Sequence, residues 1–121
     1  MKNQTFRMTM LFDFYGELLT ERQKEFFELY YDEDLSLSEI AENYGITRQG
    51  VRDVIVRAEA YMTEIEDKTG LVKRFMQVAP HVDAIDAALT EIKQMNRRLF
   101  EDKRLEELCA TIEQEVAALK E

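Results

Sequence analysis

The chain has 121 residues, a formal net charge of −9 and a hydrophobic content of 45%, with only four glycines and one proline. This length allows one domain, or a small domain with a helical appendage, and the scarcity of Gly and Pro favours long helices. The single cysteine, Cys109, excludes an internal disulfide. No apolar run reaches the ~18 residues of a membrane span and no signal peptide opens the chain, so we expect a cytoplasmic protein without a membrane span.

The first predicted helix is strongly apolar and follows a loose start at residues 1–7. Gly16 is expected to loosen its end. So much apolar surface cannot stay exposed, and we interpret this segment as a core helix; a partner-binding surface is the alternative. Its apolar stripe at helical spacing contains Met8, Leu11, Phe12, Tyr15 and Leu19.

A capping box opens the second predicted helix, because Thr20 is followed three residues later by Gln23. The helix ends near the acidic run of residues 32–34, which we interpret as a solvated loop. Three adjacent carboxylates lack the spaced ligands and glycine turn of a calcium site, so we expect no metal. The residues that this helix is predicted to bury are Phe26, Phe27, Leu29 and Tyr30.

A helix, a tight turn and a second helix are predicted between residues 36 and 58. Ser36 and Glu39 form another capping box, and the first of these helices runs to about Tyr44. Gly45 tolerates the left-handed conformation that ends a helix, and Thr47 can cap the next one. The predicted inward face of the second helix consists of Val51, Val54, Ile55 and Ala58, which completes the pattern of a helix-turn-helix.

The outward face at the start of the second helix carries Arg48, Gln49, Arg52 and Asp53. Such a helix can enter a groove of nucleic acid, although the same motif also serves as a plain packing unit. In the DNA-binding interpretation Arg48, Gln49 and Arg52 read a major groove while Arg57 contacts phosphate. Residues 46–58 carry a net charge of +2 inside residues 19–70, whose net charge is −7. This balance disfavours tight, purely electrostatic binding to DNA.

The second helix is expected to continue towards Lys68 and to stop at Gly70. A short apolar and basic segment follows at residues 71–79, and Pro80 is expected to open the next helix. The outer surface of the second helix past Ala58 is expected to be acidic, through Glu59, Glu64, Glu66 and Asp67.

A long apolar stripe occupies the C-terminal third, with a break predicted near residues 100–102. Helices with such spacing pack lengthwise, either as a hairpin or against another chain. The stripe has more apolar surface than a short appendage could cover by itself, so we predict a homodimer through residues 82–119. Its members are Val82, Ile85, Leu89, Ile92, then Met95 or Leu99, and Leu105, Leu108, Ile112, Val116 and Leu119.

No catalytic constellation is present in the sequence. His81 is the only histidine and has no cysteine or serine partner at a usable spacing, so we assign it to the surface. The four glycines are scattered and form no phosphate-binding loop. Cys109 lies beside the apolar stripe and is interpreted as a packing residue. We therefore expect neither enzymatic activity nor a cofactor.

Two stretches resemble the YlxM family, small bacterial proteins encoded beside the signal recognition particle GTPase. They are RMTMLFDFYGELLTERQKEFFELYYDEDLSLSEIAENYGITRQGV and EDKTGL. The segment SLSEIAENYGITRQGVRDVIVRAEAYM, with LLTERQKEFFELYY before it, also looks like region 4 of bacterial sigma factors. The resemblance covers residues 7 to about 71. Gly50 and Arg52 stand where this family more often has alanine and an aromatic residue.

We predict an all-α fold, with a helix-turn-helix (sigma region 4-like) domain at residues 1–70 and a long C-terminal helical extension at residues 71–121. The resemblance implies a nucleic-acid-binding regulatory or accessory protein of the signal recognition particle pathway. Its partners would be the particle's RNA, its GTPase, or both, and duplex DNA if it regulates that pathway. The alternative is a sequence-specific DNA-binding transcriptional regulator unrelated to protein targeting.

Overall fold

The computed structural model describes residues 5–120, and the described part of the chain is all-α, as predicted. A short 3-10 turn, Gly16–Leu18, follows α1, and π-helical turns, Glu28–Asp32 and Asn96–Phe100, follow α2 and α5. The helices are α1 (Thr5–Tyr15), α2 (Glu21–Phe27), α3 (Leu37–Tyr44), α4 (Arg48–Thr69), α5 (Leu71–Met95) and α6 (Lys103–Lys120). The chain divides into two compact units, Met1–Val72 and Lys73–Glu121.

The core of the first unit is built from α1 to α4. Leu11 in α1 is fully buried, and the ring of Phe12 stacks on that of Phe27 with 4.6 Å between their centroids. The interpretation of α1 as a core helix is therefore confirmed. The largest fully buried side chains are Phe26, Phe27, Leu11, Ile40, Ile55, Met62 and Val51.

The start of α1 differs from the prediction of a loose segment at residues 1–7. Thr5, Phe6 and Arg7 form its first turn, while residues 1–4 lie outside the described part of the chain. The apolar stripe begins only at Met8, but the backbone N–H groups of the following turn need carbonyl acceptors four residues earlier. The Thr9 hydroxyl also donates to the Thr5 carbonyl at 2.8 Å, which ties this turn together.

Both predicted capping boxes are confirmed. The Gln23 N–H donates to Thr20 Oγ1 at 3.1 Å, and the Gln23 side chain accepts from the Thr20 N–H at 3.0 Å. Ser36 and Glu39 make the same reciprocal pair, with both distances 3.0 Å. Each box satisfies two backbone donors that a helix start otherwise leaves unpaired, so these local sequence signals set where α2 and α3 begin.

The prediction of an exposed Glu66 is wrong, because its side chain is buried and accepts hydrogen bonds. The Tyr15 hydroxyl donates to Glu66 Oε1 at 2.6 Å, and the Val72 N–H donates to the same oxygen at 3.0 Å. Tyr15 also shares a hydrogen bond with the Thr69 hydroxyl. Burial, together with the hydrogen bond to Glu66, raises the pKa of Tyr15 above its ordinary value. The network joins α1 to the end of α4 and the first turn of α5.

The position of Pro80 also differs from the prediction, since it lies inside α5 and opens no helix. The helix already begins at Leu71, directly after Gly70 ends α4 in the left-handed conformation, and Glu66 accepts a hydrogen bond from its first turn. The ring of proline holds φ near the helical value and removes one backbone donor. The short segment expected at residues 71–79 is accordingly the beginning of a 25-residue helix.

The second unit is a hairpin of α5 and α6 with the predicted break between them. The break consists of the π-helical turn Asn96–Phe100 and of Glu101 in the left-handed conformation, at φ 46°. Asn96 is buried, and its side chain donates to the Asp102 carbonyl and accepts from the Asp102 N–H, each at 2.9 Å. The Asp102 carboxylate in turn accepts from the Leu105 N–H in the first turn of α6.

Candidate nucleic-acid interface

The turn between α3 and α4 has the geometry that the sequence predicts. Gly45 adopts φ 65° and ψ 32°, and its N–H donates to the Ala41 carbonyl. The Ile46 N–H donates to the same carbonyl at 3.1 Å. No atom lies within 4 Å of where a side chain at Gly45 would begin. The left-handed backbone conformation, and not a lack of space, is therefore what favours glycine here.

Substituting Gly45 by valine is expected to lower the free energy of unfolding by about 2 kcal/mol, because a β-branched residue is strained at positive φ. Thermal unfolding followed by circular dichroism would measure the loss. Gly45→Asn is the control, since asparagine tolerates the left-handed conformation and should lose less. Equal losses for the two variants would contradict the assigned cause.

The start of α4 is fixed by a side-chain cap and by a buried face. Thr47 Oγ1 accepts from the Gly50 N–H at 3.0 Å, which confirms the predicted cap. The predicted inward side chains Val51, Ile55 and Ala58 are fully buried, and Val54 is half-buried. This packing leaves the opposite side of the first three turns in solvent.

The solvent side of α4 carries every residue predicted to contact nucleic acid. Arg48, Gln49, Arg52 and Arg57 are all exposed. Nine helical steps of 100° place Arg48 and Arg57 about 180° apart around the axis, so the two guanidinium groups flank the exposed arc. Gln49 lies between them, and its amide donates to the Asp53 carboxylate at 2.9 Å.

The three arginines form no ion pair with a carboxylate of residues 5–120. Their charge therefore remains available to an external anion. The chain around them is acidic: exposed carboxylates of α2 and the following turn include Glu21, Glu25, Glu28 and Asp32. The site is thus a small cationic arc on an acidic unit.

Two tyrosine–carboxylate hydrogen bonds hold the helices that support this arc. The Tyr44 hydroxyl donates to Glu25, linking α3 to α2, and this bond raises the pKa of Tyr44. The Tyr31 hydroxyl donates to Glu59 of α4, and its pKa is raised by burial and then by that bond. Sequence reasoning missed both pairs, because 19 and 28 residues separate the partners.

Within the described part of the chain, no cluster of His, Cys, Asp and Glu side chains has a geometry that could hold a metal ion. Among the same residues, no helix is both long and apolar enough to cross a membrane.

A helical core, a glycine turn between α3 and α4, and an α4 whose polar side is exposed define a helix-turn-helix protein. The second helix of this class commonly binds nucleic acid. The chain belongs to the UPF0122 family, described as "Putative helix-turn-helix protein, YlxM / p13 like", which it matches over residues 2–104. The family predicted from the sequence is therefore confirmed.

The relatives of the chain include UPF0122 proteins of several bacteria. That of Thermoanaerobacter sp. (strain X514) is 44% identical over 88% of this chain and 92% of its own length. That of Desulforamulus reducens is 58% identical over 59% of this chain and 61% of its own length. That of Bacillus mycoides (strain KBAB4) is 42% identical over 82% of this chain and 90% of its own length.

Proposed function

We propose that the protein is a non-catalytic, nucleic-acid-binding regulatory or accessory protein of the signal recognition particle pathway, acting in the cytoplasm. The observation that supports the binding proposal is the exposed arc of α4, where arginines that form no ion pair within residues 5–120 flank a polar centre. The pathway assignment rests on the resemblance to the YlxM family, whose members are encoded beside the particle's GTPase.

The geometry of the arc suggests a role for each side chain. Arg48 and Arg52 lie one turn apart and reach into a groove, and Arg57 meets phosphate on the other side of the helix. Gln49 can bond to a base edge once it releases Asp53. The ligand in this proposal is duplex DNA or the RNA of the particle.

The charge distribution favours an assisted contact. Three arginines neutralise about three phosphates, so affinity for duplex DNA should fall with log salt at a slope near −3 per motif. The net charge of −7 on residues 19–70 weakens non-specific binding further. We therefore propose that useful affinity arises at a particular site, on a shaped RNA, or in a complex that contains the GTPase.

A transcriptional regulator unrelated to protein targeting is the second candidate. The Gln49–Asp53 pair favours it, because an amide and a carboxylate on a reading face can discriminate adenine and cytosine edges in a major groove. Binding to one duplex sequence, with none to the particle's RNA or GTPase, would select this alternative.

The double substitution Arg48→Ala with Arg52→Ala tests the interface. We expect at least tenfold weaker binding to the genuine ligand and, for duplex DNA, a salt slope smaller by about two. Binding to duplex DNA, the particle's RNA and the purified GTPase should be measured across a salt series. Folding stability should change by less than about 0.5 kcal/mol, because both side chains are exposed.

Lys68→Ala is the matched control for this experiment. Lys68 lies on the same helix, is exposed and is paired only locally with Glu64, so its removal should leave binding unchanged. A double arginine variant that binds all three ligands as well as the parent does would show that the helix-turn-helix is not the functional surface.

We also propose that the protein acts as a homodimer through residues 82–119. This proposal is independent of the nucleic acid that α4 binds.

A further inference from the structure

The buried side chains of the α5–α6 hairpin recur every seven residues. In the second unit they are Val82 and Leu89 in α5, Asn96 in the π-helical turn that follows it, and Cys109 and Val116 in α6. A seven-residue repeat is the signature of helices that pack lengthwise along a single seam. This set is called the seam layer below, and it defines two flanks of the hairpin.

One flank is closed by ion pairs. The residues four positions after members of the seam layer include Lys93, Glu113, Asp86 and Lys120. Lys93 pairs with Glu113, and Lys120 Nζ lies 3.0 Å from Asp86 Oδ2. The later α5 residue, Lys93, meets the earlier α6 residue, Glu113, and the earlier α5 residue, Asp86, meets the later α6 residue, Lys120, as two antiparallel helices require. This flank therefore has its charges matched within one chain.

The other flank is apolar and exposed. The residues three positions after members of the seam layer are Ile85 (49% exposed), Ile92 (42%), Leu99 (68%), Ile112 (43%) and Leu119 (66%). Steps of three and four residues fall on opposite sides of the starting residue, and in an antiparallel pair each side is shared by both helices. These side chains therefore line one face, called the open flank below. Met95 and Leu108, also partly exposed, widen the same stripe.

We infer that a second copy of this chain covers the open flank, so that two hairpins form a four-helix bundle. The inference deepens the proposed homodimer by naming its surface and architecture. In such a bundle the open flank becomes interior, and each helix then buries both apolar positions of its seven-residue repeat.

The size of the surface fits this occupant. Seven large side chains, each about half exposed, present on the order of 600 Å² of apolar surface on one copy, which is the upper end of what a monomer ordinarily leaves in one patch. A stable interface buries about 800 Å² per partner, part of it polar. Two copies can supply this, because one two-fold axis brings the same flank of each against the other.

The distribution of charge also fits a second copy. An acidic or basic partner would need complementary charge on the surface that it covers, whereas the seven side chains named for the open flank are hydrocarbon or thioether. The ion pairs Lys93–Glu113 and Lys120–Asp86 lie on the other flank and need no external partner. A face of this composition matches its own image under a two-fold rotation.

Sedimentation equilibrium of the full chain tests the inference. We expect a dimer at ten micromolar for the parent and a monomer that retains its helical circular dichroism for Ile92→Glu and Ile112→Glu. Ala87→Glu places the same charge on α5, the helix of Ile92, at an exposed position away from both flanks, and this control should remain dimeric. Ile112→Ala should raise the dimer dissociation constant at least tenfold. If a glutamate variant unfolds, this alanine variant tests whether the open flank is the dimer interface.

Three outcomes would overturn the inference. The first is a monomeric parent at tens of micromolar. The second is a dimer whose dissociation constant Ile112→Ala leaves unchanged, and the third is weakening by Ala87→Glu equal to that by Ile92→Glu. Nucleic-acid binding measured on the same samples is a separate readout. A monomeric parent that still binds through Arg48 and Arg52 would reject the dimer and leave the proposed interface standing.

Discussion

Replacing Phe27 with alanine is expected to lower the free energy of unfolding of the first unit by about 3–5 kcal/mol. The side chain is fully buried, and its ring lies 4.6 Å from that of Phe12 and 4.5 Å from that of Tyr31, between centroids. Alanine would leave a cavity and remove both aromatic contacts. Because small domains are stable by only about 5–15 kcal/mol, this loss should be visible as a large fall in the denaturant midpoint.

Phe6→Ala provides the control for that measurement. Phe6 lies in α1 and is 70% exposed, so its removal should change the free energy of unfolding by less than about 0.5 kcal/mol. A loss below about 1 kcal/mol for Phe27→Ala would mean that the packing around this ring relaxes readily.

Replacing Glu66 with alanine is expected to cost about 2–4 kcal/mol of folding free energy. The substitution removes one carboxylate oxygen that accepts from both the Tyr15 hydroxyl and the Val72 N–H, and a buried donor left unpaired is costly. Equilibrium unfolding in urea would measure the loss. Tyr15→Phe, which removes one of the two donors, should cost less.

Glu64→Ala is the matched control for Glu66. It lies two residues earlier on the same helix and makes only a solvent-exposed ion pair with Lys68, which is worth at most about 0.5 kcal/mol. Equal losses for the two alanine variants would show that the buried network contributes nothing beyond a surface contact.

The features that the sequence predicted correctly are set by local chemistry. The capping boxes at Thr20 and Ser36 act within three residues, and Gly45 is required by the backbone angles of a single position. The inward face of α4 follows from helical spacing alone. Such signals need no knowledge of distant neighbours, and they are sufficient to position the candidate interface.

The features that the sequence missed depend on residues far apart in the chain. Glu66 resembles its acidic neighbours until Tyr15, 51 residues earlier, is brought beside it. The apolar stripe of α5 contains both Leu89 and Ile92, and spacing cannot show that only Leu89 is buried within the hairpin. The sequence also misses that Pro80 lies inside α5, because proline removes only one backbone hydrogen bond from a helix. The start of α5 is set by Glu66 of the previous helix, whose carboxylate accepts from the Val72 N–H.

The hydrogen bonds of Asn96 have a consequence for how two chains can exchange parts. If α5 and α6 straightened into one continuous helix, α6 of each copy could pack on α5 of the other, which is domain swapping. The reversal at Glu101 and Asp102 prevents this only while it remains closed, and the Asn96 amide closes it through two bonds to the Asp102 backbone. A larger apolar residue at position 96 would bury more surface but could not form these two hydrogen bonds. The buried Asn96 side chain thus favours a hairpin closed within one chain over an exchange of α6 between two chains.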